Sequence, residues 1–139
     1  MTAMPIEAPA QSMPLPVAEN PRLVLVVDDD KRARDAVIEH VHELGYETIE
    51  AKTGYEAISM AALRKPGVVI VDGLLPNMHG FEVSRFIRAA QATYAPRVIL
   101  VTAVYKGVRY QNEARLKYGI DHYLTKPVSR TALQAALGE

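Results

Sequence analysis

The sequence predicts an α/β protein built on a doubly wound parallel sheet, and three observations carry that expectation. From Arg22 onward, short apolar runs rich in β-branched residues alternate with segments of helical periodicity, giving five βα units. The first, third and fourth runs are nearly continuous in apolar residues, as strands are when both faces are covered. Four of the runs end in polar residues, which gives the sheet one chemically distinct edge.

Taken in order, Leu23 to Val27 reads as a strand and Lys31 to Leu44 as a helix. On that helix Ala33, Val37, Val41 and Leu44 form the apolar face, with Lys31, Arg34, Asp35, Glu39 and Glu43 facing elsewhere and Gly45 as the stop. Tyr46 to Glu50 is the second strand. Gly54 to Arg64 is the second helix, opened by a Thr53/Glu56 capping box and closed by Pro66 and Gly67. Val68 to Val71 is the third strand, and Gly80 to Ala92 the third helix, with Phe81, Phe86, Ile87 and Ala90 as its buried stripe. Arg97 to Thr102 is the fourth strand, Lys106 to Tyr118 a less regular helix, Asp121 to Leu124 the fifth strand and Arg130 to Leu137 the last helix. Crossover handedness places helices on both faces of the sheet.

Residues 1 to 21 hold five of the nine prolines and only Glu7 and Glu19 as charges, so they are expected to form a flexible or polyproline-like leader ahead of a single domain over 22 to 139. Sixteen basic and sixteen acidic residues give zero net charge, which argues against attachment to nucleic acid or anionic membrane by bulk charge. With 49% hydrophobic and 23% charged residues the chain has the composition of a globular domain. It lacks cysteine, so disulfides, thiolate nucleophiles and cysteine zinc sites are excluded. The apolar runs are far shorter than the roughly 20 residues that span a bilayer, and the N-terminus has no signal-peptide pattern. A cytoplasmic location is expected.

The polar strand ends are the informative feature. Val26-Val27 leads into Asp28-Asp29-Asp30, and Val69-Ile70-Val71 leads into Asp72. Thr102 follows the fourth apolar run, and Lys126 comes just after the fifth. Ligands of open parallel sheets bind at this edge, outside the carboxyl ends of the strands. Three carboxylates about 5 Å apart repel by roughly 3 kcal/mol per pair at an effective dielectric near 20, so they either raise their pKa values or hold a cation. Magnesium suits such oxygen ligands. One carboxylate is then placed to attack phosphorus, with Lys126 balancing phosphoryl charge and the Thr102 hydroxyl donating to a phosphoryl oxygen. Asp30 alone reads better as the N-cap of the first helix.

These residues resemble the receiver domain of two-component response regulators, over Arg22 to the C-terminus. The matching segments are L-V-V-D-D-D (25 to 30), V-D-G-L-L-P-N-M-H-G (71 to 80), V-T-A (101 to 103) and Y-L-T-K-P (123 to 127). The resemblance, which extends to single-domain regulators of the chemotaxis type, implies a flavodoxin-like (βα)5 fold with strand order 2-1-3-4-5. It implies Asp72 as phosphoacceptor and Mg²⁺ held by Asp28, Asp29, Asp72 and the backbone carbonyl of Leu74. Thr102, the Ala103 backbone N–H and Lys126 would contact phosphate, and Thr102 with Tyr123 would couple phosphorylation to the surface. A Lys126-Pro127 cis peptide is also implied. A histidine kinase or phosphotransfer protein would supply the phosphoryl group. The output would be contact with a downstream protein, or a homodimer, through the face of the fourth helix, fifth strand and fifth helix. Turnover of an external substrate is not implied.

Three departures from the family pattern sharpen these expectations. His79 stands where an aspartate is usual, so the loop would be looser or pH-sensitive, although a solvent-exposed histidine without a role is the plainer reading. Leu74 and Val104, at positions that influence hydrolysis of the phosphoaspartate, are apolar and unable to orient water, which implies a long-lived phosphorylated state. Residues 105 to 118 set Lys106, Arg109, Arg115 and Lys117 against Glu113, with Tyr105, Tyr110 and Tyr118 interleaved. That mixture suits nucleic acid or a protein partner, and the protein partner is preferred.

Two other functions compete. A magnesium phosphatase of the haloacid dehalogenase type would use Asp28 as nucleophile with Asp30 two residues later, but Arg32 occupies the position where it needs threonine or valine. A binding module with the same fold that acts without phosphorylation has no need of all five principal residues. Dinucleotide binding is excluded, since no Gly-x-Gly-x-x-Gly follows the first strand. With 12 residues after Pro127, no output domain is expected to follow.

Overall fold

A computed structural model describes residues 20–90, 93–103 and 108–138, apart from the side chains of Val108, Tyr110 and Ala114. The expectations for residues 1–19 of the leader, for Val104, Tyr105 and Lys106, and for the Tyr110 side chain lie outside the described residues.

Strands β1 (Asn20–Val27), β2 (Glu47–Ala51), β3 (Pro66–Asp72), β4 (Arg97–Thr102) and β5 (His122–Thr125) alternate with helices α1 (Lys31–Glu43), α2 (Gly54–Arg64), α3 (Gly80–Ala90), α4 (Val108–Tyr118) and α5 (Arg130–Ala136). All strand pairs are parallel, in the order β2-β1-β3-β4-β5. The expected α/β doubly wound architecture and strand order are therefore observed.

Side-chain alternation on the central strands divides the core in two. Leu25, Val27, Val69, Val71, Val98 and Leu100 pack under α2 and α3, against Ala57, Ala61, Val83 and Ile87. Val24, Val26, Val68, Ile70, Ile99 and Val101 point to the other face, against Val37 and Val41 of α1 and Leu133 and Ala136 of α5. Covering both faces explains why these runs read as continuously apolar.

The local signals for helix starts hold. The Asp30 carboxylate accepts from the Ala33 N–H, and Thr53 Oγ1 accepts from the Glu56 N–H at 3.0 Å. Other expectations are corrected. Helix α2 ends on Lys65, whose left-handed φ of 48° forms the cap, and Pro66 and Gly67 open β3. β1 begins at Asn20, inside the expected leader, because the Asn20 N–H donates to the Lys65 carbonyl and its side-chain amide to that of Arg64. Arg34 faces inward and is 5% exposed. Phe86 and Ala90 are exposed on α3, whose buried stripe is instead Gly80, Phe81, Val83, Ser84 and Ile87.

Candidate functional site

Register brings the polar residues together. Val27 pairs with Val71 across β1 and β3, so Asp28 and Asp72 leave the sheet side by side where strand order reverses. Asp72 pairs with Val101 on β4 and Thr102 with Thr125 on β5, which sets Thr102 and Lys126 at the same edge. The Lys126 N–H continues the ladder to the Thr102 carbonyl at 2.8 Å, and the Lys126-Pro127 bond is cis, as expected.

Asp28, Asp29 and Asp72 offer carboxylate oxygens that all lie within 4.8 Å of one another. Asp28, Asp72 and Thr102 are buried, and Asp29 is exposed. Lys126 Nζ donates to Asp28 Oδ2 at 2.8 Å and lies 3.7 Å from Asp72 Oδ2. Asp72 Oδ1 accepts from the Leu74 N–H at 3.2 Å, and Asp28 Oδ1 from the Asp30 N–H at 2.9 Å. Asp30 itself is exposed and engaged in capping α1, so it stands outside the cluster. That disfavours the dehalogenase-type pairing of Asp28 with Asp30.

Burial raises the Asp72 carboxyl above its ordinary range, and the charges of Asp28 and Asp29 add to this against the opposing Leu74 N–H and Lys126. Burial alone would lower the Lys126 ammonium, but its hydrogen bond to Asp28 and the nearby carboxylate charges outweigh that and hold it above its ordinary value. The stabilisation from this pairing is therefore present below the ordinary lysine pKa and is lost as pH rises through the folded one. Three hard oxygen donors, one of them a carboxyl that burial holds back from ionisation, suit a divalent cation such as Mg²⁺.

Two residues outside the acidic cluster support the site: Arg34, expected on the solvent side of the first helix, and Gly80, expected only to open the third helix. Arg34 Nη1 donates to the Asp28 carbonyl and Nε to Glu50 Oε1, both at 2.8 Å, tying α1 to the end of β1 and to β2. Gly80 opens α3 against the strand end. A Cβ there would meet the Asp72 carbonyl oxygen at 2.6 Å and Gly73 Cα at 2.8 Å, so only glycine permits this approach.

His79 is not an idle surface residue. Its Nδ1 accepts from the Phe81 N–H at 3.3 Å while its own N–H donates to Glu82 Oε1 at 3.1 Å, a reciprocal capping box at the start of α3. Its ring also lies 4.7 Å from that of Phe81. His79→Ala is expected to cost about 1 kcal/mol in urea unfolding, with His79→Asp restoring it. Equal midpoints for parent and alanine variant would count against the cap.

Of the remaining candidates, Leu74 is 55% exposed beside Asp72. Ala103 is exposed, and Tyr123 is half-buried and packs against the core under α2 and α3. Arg109, Arg115 and Lys117 are exposed on α4, whose Tyr118 stacks on Phe81 at 4.7 Å. No helix among the described residues is long and apolar enough to cross a membrane.

Comparison with known proteins agrees with this fold. The chain is 32% identical over 116 residues to the phosphate regulon transcriptional regulatory protein PhoB of Pseudomonas aeruginosa, covering 84% of this chain and 50% of that protein. It is 30% identical over 112 residues to the alkaline phosphatase synthesis transcriptional regulatory protein PhoP of Bacillus subtilis, covering 81% and 45%. The chain thus spans about half the length of these relatives. Among solved structures, the chemotaxis protein CheY4 of Vibrio cholerae superposes with TM-score 0.75 at 27% identity, over 84% of this chain and 95% of that one. A response regulator of Burkholderia pseudomallei, solved with a phosphorylated aspartic acid, a calcium ion and citrate, superposes with TM-score 0.71 at 27% identity, over 84% and 66%. The response regulator receiver domain matches residues 24–138, which takes in every strand end described above, and the chain belongs to that family.

Proposed function

We propose that the chain is a phosphoacceptor switch of a two-component system, modified on Asp72. The observation that carries this is the convergence of Asp28, Asp29, Asp72, Thr102 and Lys126 from four strands on one edge, with Asp72 buried among them. An Asp72 carboxylate oxygen attacks the phosphorus of a phosphohistidine or a small acyl phosphate. The new O–P bond forms as the P–N or P–O bond to the donor breaks, and the donor leaves with the electron pair. Asp28, Asp29, Asp72 and the Leu74 carbonyl would hold a divalent cation, with Mg²⁺ as our assignment, which would neutralise phosphoryl charge.

Lys126, already 3.7 Å from Asp72 Oδ2, moves its ammonium from Asp28 to the new phosphoryl oxygens. The Thr102 hydroxyl and the Ala103 N–H donate to the same oxygens. Thr102 moving toward them frees space for Tyr123 to turn further inward, a two-state change that reshapes the surface of α4, β5 and α5. Arg109, Arg115 and Lys117, exposed on α4, make that surface basic for a protein partner. A kinase or phosphotransfer protein of the cytoplasm donates the phosphoryl group. The exposed, apolar Leu74 offers no polar group to an attacking water, which favours a persistent phosphorylated form.

Treatment with acetyl phosphate and Mg²⁺ should add one phosphoryl group by intact mass, and peptide mapping should locate it on Asp72. The decay of that mass with time reads the lifetime. No added group, or one elsewhere, refutes the assignment.

A further inference from the structure

A groove of about 580 Å³ lies between α2 and α3, outside the site at the strand ends. Tyr55 and Ile58 form one wall, Phe86 and Ala89 the other, and Met78 closes the end nearest the loop that follows Asp72. Its surface is predominantly apolar, yet Tyr55 is left 62% exposed and Phe86 44%. The one acid that lines it, Glu82, is engaged in the His79 capping box.

The chain itself supplies an occupant of matching chemistry. Asn20 is bonded to the Arg64 and Lys65 carbonyls, which ties the first described residue to the C-terminal end of α2, one end of the groove's own wall. From there to Tyr55 is ten residues of helix, about 15 Å. Five residues of polyproline helix span the same distance, at about 3.1 Å each. Residues 8 to 18 carry no charge, and Met13-Pro14-Leu15-Pro16-Val17 is the stretch within reach, with Ala18 and Glu19 as the connection. Proline-rich strands dock in aromatic-lined grooves because little conformational entropy is lost, and tethering gives an effective concentration in the mM range.

We propose that residues 13 to 17 dock in the groove between α2 and α3 as an extended polyproline-like strand. This lays the leader between Tyr55 and Phe86 with its far end at Met78, in the loop that joins Asp72 to α3.

The absence of native cysteine makes a direct test clean. A nitroxide on Ser12→Cys in the full chain should sit at the Met78 end of the groove. The amide NMR signals of Tyr55, Met78 and Glu82 should then lose most of their intensity, while those of Ala132 and Leu133 on α5 keep theirs. Adding Phe86→Ser should restore the lost signals. Uniform weak losses, or losses that survive Phe86→Ser, overturn the proposal. So does the same pattern arising between a spin-labelled unenriched copy and an unlabelled isotope-enriched copy, which assigns the groove to a second molecule.

Discussion

Asp72→Asn is expected to take up no phosphoryl group under conditions that modify the parent chain, and, without metal, to be the more stable protein. The first effect is all-or-none, because the amide offers no anionic oxygen to attack phosphorus. The second follows from the electrostatics of the cluster. In the parent, Asp72 is within 4.8 Å of both Asp28 and Asp29, and Lys126 approaches it only to 3.7 Å while bonding Asp28 at 2.8 Å. Burial is the largest contribution against the Asp72 charge, and repulsion by Asp28 and Asp29, roughly 3 kcal/mol per pair at an effective dielectric near 20, adds to it against the attraction of Lys126. Asparagine removes this charge while its carbonyl can still accept from the Leu74 N–H. A gain on the order of 1 to 2 kcal/mol in urea unfolding with chelator is expected near neutral pH. Because folding raises the Asp72 pKa, its ionisation costs stability as pH rises through the folded value, so the advantage of the variant should fade in acid. Metal should reverse the ranking. A cation at a hundred times its Kd stabilises the parent by about 2.7 kcal/mol, and the variant, having lost one ligand, by less. A variant that is no more stable than the parent in chelator would show that the cluster is not strained by its own charge.

Much of this was legible in the sequence, and the exceptions have physical causes. The strands of the sheet centre announce themselves because both faces must be apolar, and Asp28, Asp72 and Thr102 because each interrupts such a run at its carboxyl end. Hydrophobicity alone places Phe86 in the buried stripe of α3, yet it is 44% exposed. The rows that face the sheet are Gly80, Ser84 and Ile87 with Val83, and Phe86 stands at their edge, on the wall of the groove. Histidine in place of aspartate points to a looser loop, whereas here the lone pair of His79 Nδ1 accepts from the Phe81 N–H and caps α3. Arg34 carried a signal in its spacing: with Val37 and Val41 it forms the buried row of α1 at i, i+3 and i+7. Its charge argued for the solvent side, and only the three-dimensional placement of Glu50 and of the Asp28 carbonyl shows where that charge is satisfied.

Removing that guanidinium is accordingly expected to be among the most damaging single changes outside the acidic cluster. Arg34→Met keeps much of the side-chain volume but leaves the Asp28 carbonyl without its 2.8 Å donor and unties α1 from β2. An unsatisfied buried acceptor together with imperfect repacking should cost about 2 to 3 kcal/mol in urea unfolding. Glu50 is half exposed, so Glu50→Gln, which keeps an acceptor, should cost less than about 1 kcal/mol. That contrast separates the two bonds of Arg34, and it assigns the larger share to the one that reaches the site. Asp28 is held on one side by this bond to its carbonyl and on the other by Lys126 at its carboxylate. Loosening the backbone at Asp28 should therefore weaken divalent-cation binding, read by calorimetry, beyond what Glu50→Gln does. If Arg34→Met were to unfold at the same urea concentration as the parent and bind the cation equally well, Arg34 would be a packed bystander and the geometry of Asp28 would be set by the strand alone.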